Sequence, residues 1–410
     1  MVTQFYAPEP GPATLPSNLA ETLARRGHEV RVVTGFPNYP TGRLADGFKL
    51  ARRSDEVRHG VAVRRVYLYP DHGSAAGRMA NYGTFGLSSV VSGVSWLSDA
   101  DAVWVNASPI TLAWPIWALR AMRLPVVSHI LDLWPESLFA TGFGRLAENA
   151  PVRRALDAWT GSIYRSSHLV AYISPGVHDV LRSRGVPERK LRYVPMWADE
   201  ATFAPGGKSM RNELGIAEDS VVLAYAGALG EAQGLETLID ACREITDPRF
   251  VCIVAGSGGS EQALRARARD VTAIRFIGRI PQPRMTDLMA SIDASYVSLR
   301  DTHLGRVSTP SKTQAALAAG VPVVAAARGD VRRVIENARA GLGADPSSVS
   351  SVVDAIRQFC SMSVSDRAHL AENARRTYET KFSLERGAAE VEKMLQQAAS
   401  DHRKQVQPDA

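Results

Sequence analysis

The 410-residue sequence predicts an α/β protein made of two doubly wound parallel-sheet domains. Three observations carry this. Short apolar runs alternate with helical patterns along nearly the whole chain. One stretch, MWADEATFAPGGKS at 196–209, breaks the alternation with Pro, Gly and polar residues and divides the chain into halves of similar size. The composition, 45% hydrophobic and 22% charged, is globular and leaves enough apolar material for two cores.

Taken in order, 2–5 reads as a very short strand. A Pro/Gly loop through Gly11 follows, then a helix at 14–26 and a strand at 29–34, which together make a βαβ unit. Strands are expected at 61–69, 101–106, 125–133, 169–173 and 191–195, with helices at 81–99, 111–122, 152–166 and 177–184. After the break, strands at 221–226, 250–255, 273–277, 294–299 and 322–326 alternate with helices at 235–244, 261–269, 285–292 and 311–320. The remainder is mostly helical, through 349–359, 366–382 and 384–399. The expected domains are 1–196 and 210–382, with a C-terminal helix and tail at 383–410 packing back toward the first. Their carboxyl strand ends are expected to face a cleft, because ligands of open α/β sheets bind at that end.

The net charge is +6, but arginine is scattered over most helices instead of clustering, so a nucleic-acid binder is excluded. No signal peptide is legible, and the longest apolar stretch, 85–97, is too short to span a bilayer. A cytoplasmic location is expected, with at most weak, peripheral attachment to the inner membrane face. Cys242, Cys252 and Cys360 lie in apolar patterns, and neither they nor the nine histidines show metal-type spacing, so no metal is expected.

Four local features carry the candidate chemistry. The first is 300–328, LRDTHLGRVSTPSKTQAALAAGVPVVAAAR counted from Leu299. Ser311 reads as the N-cap of an alanine-rich helix, whose free N–H groups and positive dipole end, with Lys312 beside them, suit a phosphate. Arg300, His303 and Arg306 crowd the same strand end. The second is Gly227-Ala-Leu-Gly230, where a diphosphate could rest on turn amides or the glycines could simply make a tight βα turn. The third is Gly11, beside a helix start, which either admits a ligand or turns the chain. The fourth is His129-Ile-Leu-Asp132-Leu-Trp134-Pro135-Glu136. Here an apolar strand delivers carboxylates and an aromatic platform fit for a sugar, although Asp132 could also cap the next helix. Gly256-Ser-Gly258-Gly259 fails as a dinucleotide fingerprint, because Glu261 stands at the third glycine position.

Taken together, the motifs resemble the GT-B retaining glycosyltransferases of family 4, nearest to a fucosamine-transferase-like subgroup. The carriers are Pro8-Glu-Pro-Gly11, Arg25-Arg-Gly-His-Glu-Val30, Thr34-Gly-Phe-Pro-Asn38-Tyr39-Pro40, Asp132-Leu-Trp-Pro-Glu-Ser137, Gln233-Gly-Leu-Glu-Thr-Leu238, Pro310-Ser-Lys312 and Ala319-Gly-Val-Pro-Val323. The resemblance implies a metal-independent, cofactor-free enzyme with a GDP- or UDP-linked sugar donor on the second domain and the acceptor on the first. It assigns the diphosphate to Gly11, Gly227, Gly230, Arg279, Arg306, Ser311 and Lys312, and the donor sugar to Arg300, Asp301 and His303. Asp132, His129 and Glu136 become the catalytic candidates, with Trp134, Asn38 and Tyr39 on the acceptor side. The chain departs from the family pattern at Ala315 and Val307, where glutamates are usual, and at Gln233, where a basic residue is usual. These departures point toward a small-molecule acceptor in natural-product biosynthesis, such as the thiol acceptor of a lincosamide antibiotic pathway. The alternatives are a lipid-linked sugar of surface-polysaccharide biosynthesis, a non-catalytic nucleotide-sugar binder, or a GT-B epimerase.

Overall fold

The computed structural model describes residues 1–139 and 149–406. The last four positions of the expected tail, 407–410, lie outside the described residues. The chain forms two units, Met1–Pro195 with the segment from Leu384 onward, and Met196–Ser383.

In the first unit, β1 (Arg31–Gly35), β2 (Arg53–Arg58) and β3 (Val61–Val66) form one group, and β4 (Val103–Asn106), β5 (Val126–Ile130), β6 (Leu169–Tyr172) and β7 (Leu191–Tyr193) another. Val2 joins the groups by pairing in parallel with Val33 on one side and Val105 on the other. The expected strand at 2–5 is thus a single bridging residue at the centre of the sheet. The parallel members run outward as Val2, β1, β3 on one side and β4 to β7 on the other. The order therefore reverses between Val2 and β4, the switch point at which ligands bind in such sheets. β2 is a correction to the all-parallel expectation, since it pairs antiparallel with β3 at the edge. Its sequence, RSDEVR, has no apolar pattern to announce a strand. Arg64 instead grips Asp55, and Arg65 grips Glu56, across the pair.

The described residues of the first half form six α-helices: α1 (Thr14–Arg25), α2 (Ala75–Ser92), α3 (Ala113–Ala121), α4 (Glu136–Phe139), α5 (Ala150–Ser166) and α6 (Pro175–Ser183). α2 begins six residues before the expected 81, because the Ser74 side chain caps it by accepting from the Gly77 N–H at 2.9 Å.

The second unit has one six-stranded sheet of β8 (Val221–Ala226), β9 (Phe250–Ala255), β10 (Ile274–Gly278), β11 (Ala294–Ser298), β12 (Val323–Ala326) and β13 (Gly341–Ala344). The order is β10-β9-β8-β11-β12-β13, all parallel. The reversal lies between β8 and β11. Alternate residues of the strands feed two separate cores. Val222, Ile253, Val297 and Ala325 enter one, and Leu223, Cys252, Tyr296 and Val324 the other. Both faces are thus covered, which is why these strands read as continuous apolar runs. All three cysteines are buried and free. β13 went unread, since GLGA carries almost no strand signal. Gly341 is there because a Cβ would lie 1.9 Å from the Val323 carbonyl oxygen.

The stretch expected to divide the chain, 196–209, is itself packed against the second unit. Trp197 and Ala198 are buried in the second unit, the Met210 N–H donates to Ser291 Oγ at 2.6 Å, and the Lys208 N–H to Asp287 Oδ1 at 2.9 Å. α7 (Glu236–Glu244) follows β8, and α8 (Ser311–Ala318) follows β11. The closing helix, α9 (Leu384–Val406), belongs to the first unit. It buries Ala388, Val391, Met394 and Ala398, while Arg26 reaches Glu385 and Glu392 at 2.5 Å each.

Candidate functional site

Each unit holds candidate residues at the carboxyl ends of its strands. In the second unit they gather at the switch point between β8 and β11. Gly227 leaves β8 with φ +149°, and a Cβ on it would meet Lys312 Nζ at 3.3 Å. Lys312, reaching over from the first turn of α8, therefore lies directly against the turn backbone. Gly256, at the end of β9, has φ +144°, and a Cβ there would lie 1.8 Å from the Gly227 carbonyl oxygen. The turn after β9 can come this close to the turn after β8 only because residue 256 is glycine.

Lys312 Nζ donates to Tyr225 Oη at 2.7 Å and stands 4.0 Å from the centre of that ring. The Tyr225 hydroxyl donates onward to the Ala228 carbonyl at 2.6 Å. Among the described residues, no carboxylate pairs with Lys312, and burial lowers its ammonium to about 7. An uncompensated, half-buried cation of this kind is unstable by itself and suited to an anion. The helix start beside it differs from the sequence expectation. Pro310, not Ser311, occupies the N-cap position, and it has no side-chain oxygen with which to cap. Ser311 is instead the first helical residue. Pro310 O accepts from the Thr313 N–H at 2.8 Å, which leaves the Ser311 and Lys312 amides at the helix end without side-chain caps.

The other donor-side candidates divide into two groups. Arg279 stands exposed just beyond β10, and among the described residues it makes no ion pair. His303 is exposed at the start of the short helix His303–Val307. Arg300 is occupied, since Nε donates to the Glu231 carbonyl at 2.6 Å and the guanidinium meets Glu236 at 3.0 Å. It stitches down the loop that holds Gly230, whose carbonyl side opens the turn Glu231–Gln233. Arg306 is neutralised by Asp301 at 2.6 Å, and Arg328 approaches the same carboxylate at 3.4 Å. These partners hold Asp301 below the usual carboxylate range, Arg306 first. Arg300, Arg306 and Asp301 thus build the loop before they can serve a ligand. Ala315 is buried within α8.

In the first unit, Asp132 leaves β5 and remains open to solvent on one side. Protein crowding on its other sides raises its carboxyl, and the hydrogen bond from Ser108 Oγ at 2.5 Å opposes that rise. Ser108 follows β4, so Asp132 is held at the switch point of this sheet. Trp134 is half-buried, and among the described residues its indole N–H has no partner. Glu136 is an anchor: both of its oxygens accept from Arg184 at 2.6 Å, and Arg184 also donates to the Trp134 carbonyl at 2.6 Å. Arg184→Ala should therefore lower the unfolding free energy by about 1–3 kcal/mol and loosen this loop, as a denaturant melt would show.

His129 is a correction. It lies inside the sheet at 1% exposure with Trp104 at 4.9 Å, and burial pulls its imidazole down to about 3. It is a neutral core residue and does not reach solvent. Asn38 is buried too: its side chain donates to the Phe36 carbonyl and accepts from Asn81. Tyr39 is exposed and packs edge-on against Phe5 at 5.5 Å and His72 at 5.8 Å. Gly11 has φ +72° and opens the turn Gly11–Ala13.

Sequence reasoning missed Tyr225, Ser108, Arg184 and Glu9. Glu9 is the most informative. It is buried, and it accepts from the N–H groups of Tyr6, Asn38 and Tyr39, which fixes the loop that presents Tyr39. Its place in Pro8-Glu9-Pro10-Gly11, a carboxylate inside an otherwise apolar Pro/Gly loop, was the available signal.

Two family models match the chain. "Glycosyl transferase 4-like domain" covers residues 11–197, and "Glycosyl transferases group 1" covers 208–377. The chain is 25% identical over 368 residues to the "Putative colanic acid biosynthesis glycosyl transferase WcaI" of Escherichia coli, covering 86% of this chain and 89% of that one. It is 23% identical over 413 residues to a "D-inositol 3-phosphate glycosyltransferase" of Corynebacterium jeikeium, covering 95% and 93%. Among solved structures, the sucrose-phosphate synthase of Thermosynechococcus elongatus superposes with a TM-score of 0.74 at 18% identity, over 96% and 94% of the two chains. Anabaena Alr3699/HepE in complex with UDP-glucose superposes with 0.68 at 18% identity, over 97% and 98%. The fold is thus GT-B.

Proposed function

The chain belongs to the group 1 and 4-like glycosyltransferases, and on that premise we propose that it moves a sugar from a nucleoside diphosphate to an acceptor, with retention at the anomeric carbon and without a metal ion. The observation that carries this reading is Lys312, half-buried and without a carboxylate partner among the described residues, lying against the Gly227 turn at the switch point of the second sheet. In the reaction, the bond from the anomeric carbon to the β-phosphate oxygen breaks, and the acceptor atom bonds to that carbon. Lys312, the α8 amides and Arg279 meet the charge on the departing diphosphate, positive groups fixed beforehand where charge develops. Asp132 takes the acceptor's proton, and Trp134 and Tyr39 offer apolar surface to a sugar ring. UDP is the first donor base to test, as solved neighbours bind UDP or UDP-glucose, with GDP second.

For the acceptor, a lipid-linked sugar of surface-polysaccharide assembly is the first reading, supported by the WcaI-like relative across most of the chain. A small soluble acceptor, including one in an antibiotic pathway, is the second. It is supported by relatives named for D-inositol 3-phosphate, one of which matches across 95% of the chain.

A thermal-shift series with UDP, GDP, dTDP and ADP tests the donor site. A ligand at about 100 times its Kd stabilises the native state by about 2.7 kcal/mol. The shift should be largest below pH 7 and shrink as pH rises. Lys312 is protonated in the free protein only below about 7, and an anion must bring a proton with it above that value. If none of the four raises the melting temperature, the donor-site reading fails.

A further inference from the structure

The first unit carries a second concave surface, at the opposite end of its sheet from Asp132. It opens where β5, β6 and β7 begin, beside Val126, Leu169 and Arg192, and has a volume of about 1170 Å³. β5 alone is five residues long, so roughly 15 Å of strand separates this cleft from the carboxyl end that holds Asp132. Its walls come from the ends of α3 and α5, the turn Glu188–Lys190 and the last turns of α9.

The lining is cationic. α3 and the residues after it bring Arg120 and Arg123, the turn before β7 brings Arg189 and Lys190, and α9 brings Lys404. Asp401 is the one carboxylate among the described lining residues, and it meets His168 at 3.3 Å. Two of the cations have structural partners. Lys190 Nζ donates to the Ser167 carbonyl at 2.7 Å and to the Arg165 carbonyl at 3.3 Å, which closes the negative end of α5. Arg192 donates to the carbonyls of Arg189 and Leu191 at 3.0 and 2.8 Å. Arg120, Arg123, Arg189 and Lys404 have no such partners. All are exposed, and among the described residues none meets a carboxylate. These charges act on one another: burial lowers the Lys190 ammonium, and Arg120 and Arg189 lower it further. Arg123 also holds φ +61° just past α3, where glycine is usual, so an arginine stands there against a backbone cost. Like charges gathered around a cavity repel, and an anion between them removes that repulsion.

We propose that this cleft binds a small soluble anion carrying several phosphate groups, away from the sugar-transfer site. The ligand bridges Arg120 and Arg123 to Arg189 and Lys404. No Trp, Tyr or Phe is among the described lining residues, so phosphate charge is recognised and not a stacked base. Because Lys404 is on α9, the bound anion ties the closing helix to α3 and to the turn before β7. The proposal does not rest on the donor-site reading, and its test separates the two.

The experiment is calorimetric titration of the whole protein with inorganic tripolyphosphate, in the wild type and in Lys312→Ala, which lacks the donor-side cation. Both should bind, with an affinity that falls as salt rises. Arg120→Glu with Arg189→Glu should weaken binding about tenfold or more and leave the response to UDP as it is in the wild type. Both side chains are exposed, so the melting temperature without ligand should hold. Lys404→Ala should weaken binding in the same direction. Tripolyphosphate should also slow amide hydrogen exchange over 397–406. The proposal is overturned if tripolyphosphate gives no heat with Lys312→Ala, since wild-type binding would then belong to the donor site. It is equally overturned if the double glutamate variant binds like the wild type, or if orthophosphate at equal ionic strength binds as tightly.

Discussion

Lys312→Ala lowers turnover about 10²- to 10³-fold, the range seen when one preorganised charge-stabilising group is removed. The variant stays folded, because this side chain contributes little to the core. It makes one hydrogen bond, to Tyr225, and it carries a cation in a site whose burial disfavours the charge. Removing a desolvated cation relieves a cost, so the melting temperature holds or rises slightly. Lys312→Arg does not restore activity. The ammonium already lies 3.3 Å from where a Gly227 Cβ would stand, and the longer planar guanidinium has no comparable seat. Steady-state release of nucleoside diphosphate is the measurement. Turnover within threefold of the wild type would remove Lys312 from the mechanism.

Asp132→Asn is expected to cost about 10²- to 10⁴-fold, the span of general acid–base contributions. The amide keeps the size of the carboxyl and can still meet Ser108, so the loop after β5 should hold its shape. The loss would then be chemical. The pH profile separates this from a structural effect. Crowding raises the Asp132 carboxyl above the ordinary range, and a base works only when ionised. The wild-type rate should therefore fall as pH drops through a value above about 3.9, the ordinary aspartate pKa. That acid limb should vanish in the Asn variant. An unchanged limb in Asp132→Asn would assign the titration to another group.

How much of this was legible in the chain depends on which force decided each feature. The second sheet was readable because its strands are covered on both faces, so apolar runs such as 221–226 and 250–255 stand out without any alternation. β2 was not, because ion pairs from Arg64 and Arg65 hold it, and no hydrophobic pattern records a partner 9 residues away. Lys312 and Gly227 could be named from local motifs. That they touch could not, since the contact joins turns 85 residues apart in the numbering through a packing of two helices and two strands. The misreading of His129 has a simple cause. Polar residues near a strand end suggest chemistry, yet 129 is within β5 and two positions before its exit, where the pleat turns it toward Trp104. Glu136 and Arg300 were read as ligand contacts because sequence shows a charge but not the partner that has already claimed it.

The return of α9 to the first unit has a consequence for how the molecule is made. On a ribosome, residues 1–195 emerge long before Leu384 does, and the intervening 196–383 must be translated first. At roughly 5–20 residues per second, that delay is on the order of ten to forty seconds. Throughout it, the surface that Ala388, Val391 and Met394 will cover stays open, and Arg26 waits for Glu385 and Glu392. The nascent first half thus exposes that apolar surface until the last helix arrives, and a chain cut short before Leu384 should yield an aggregate rather than a smaller soluble protein.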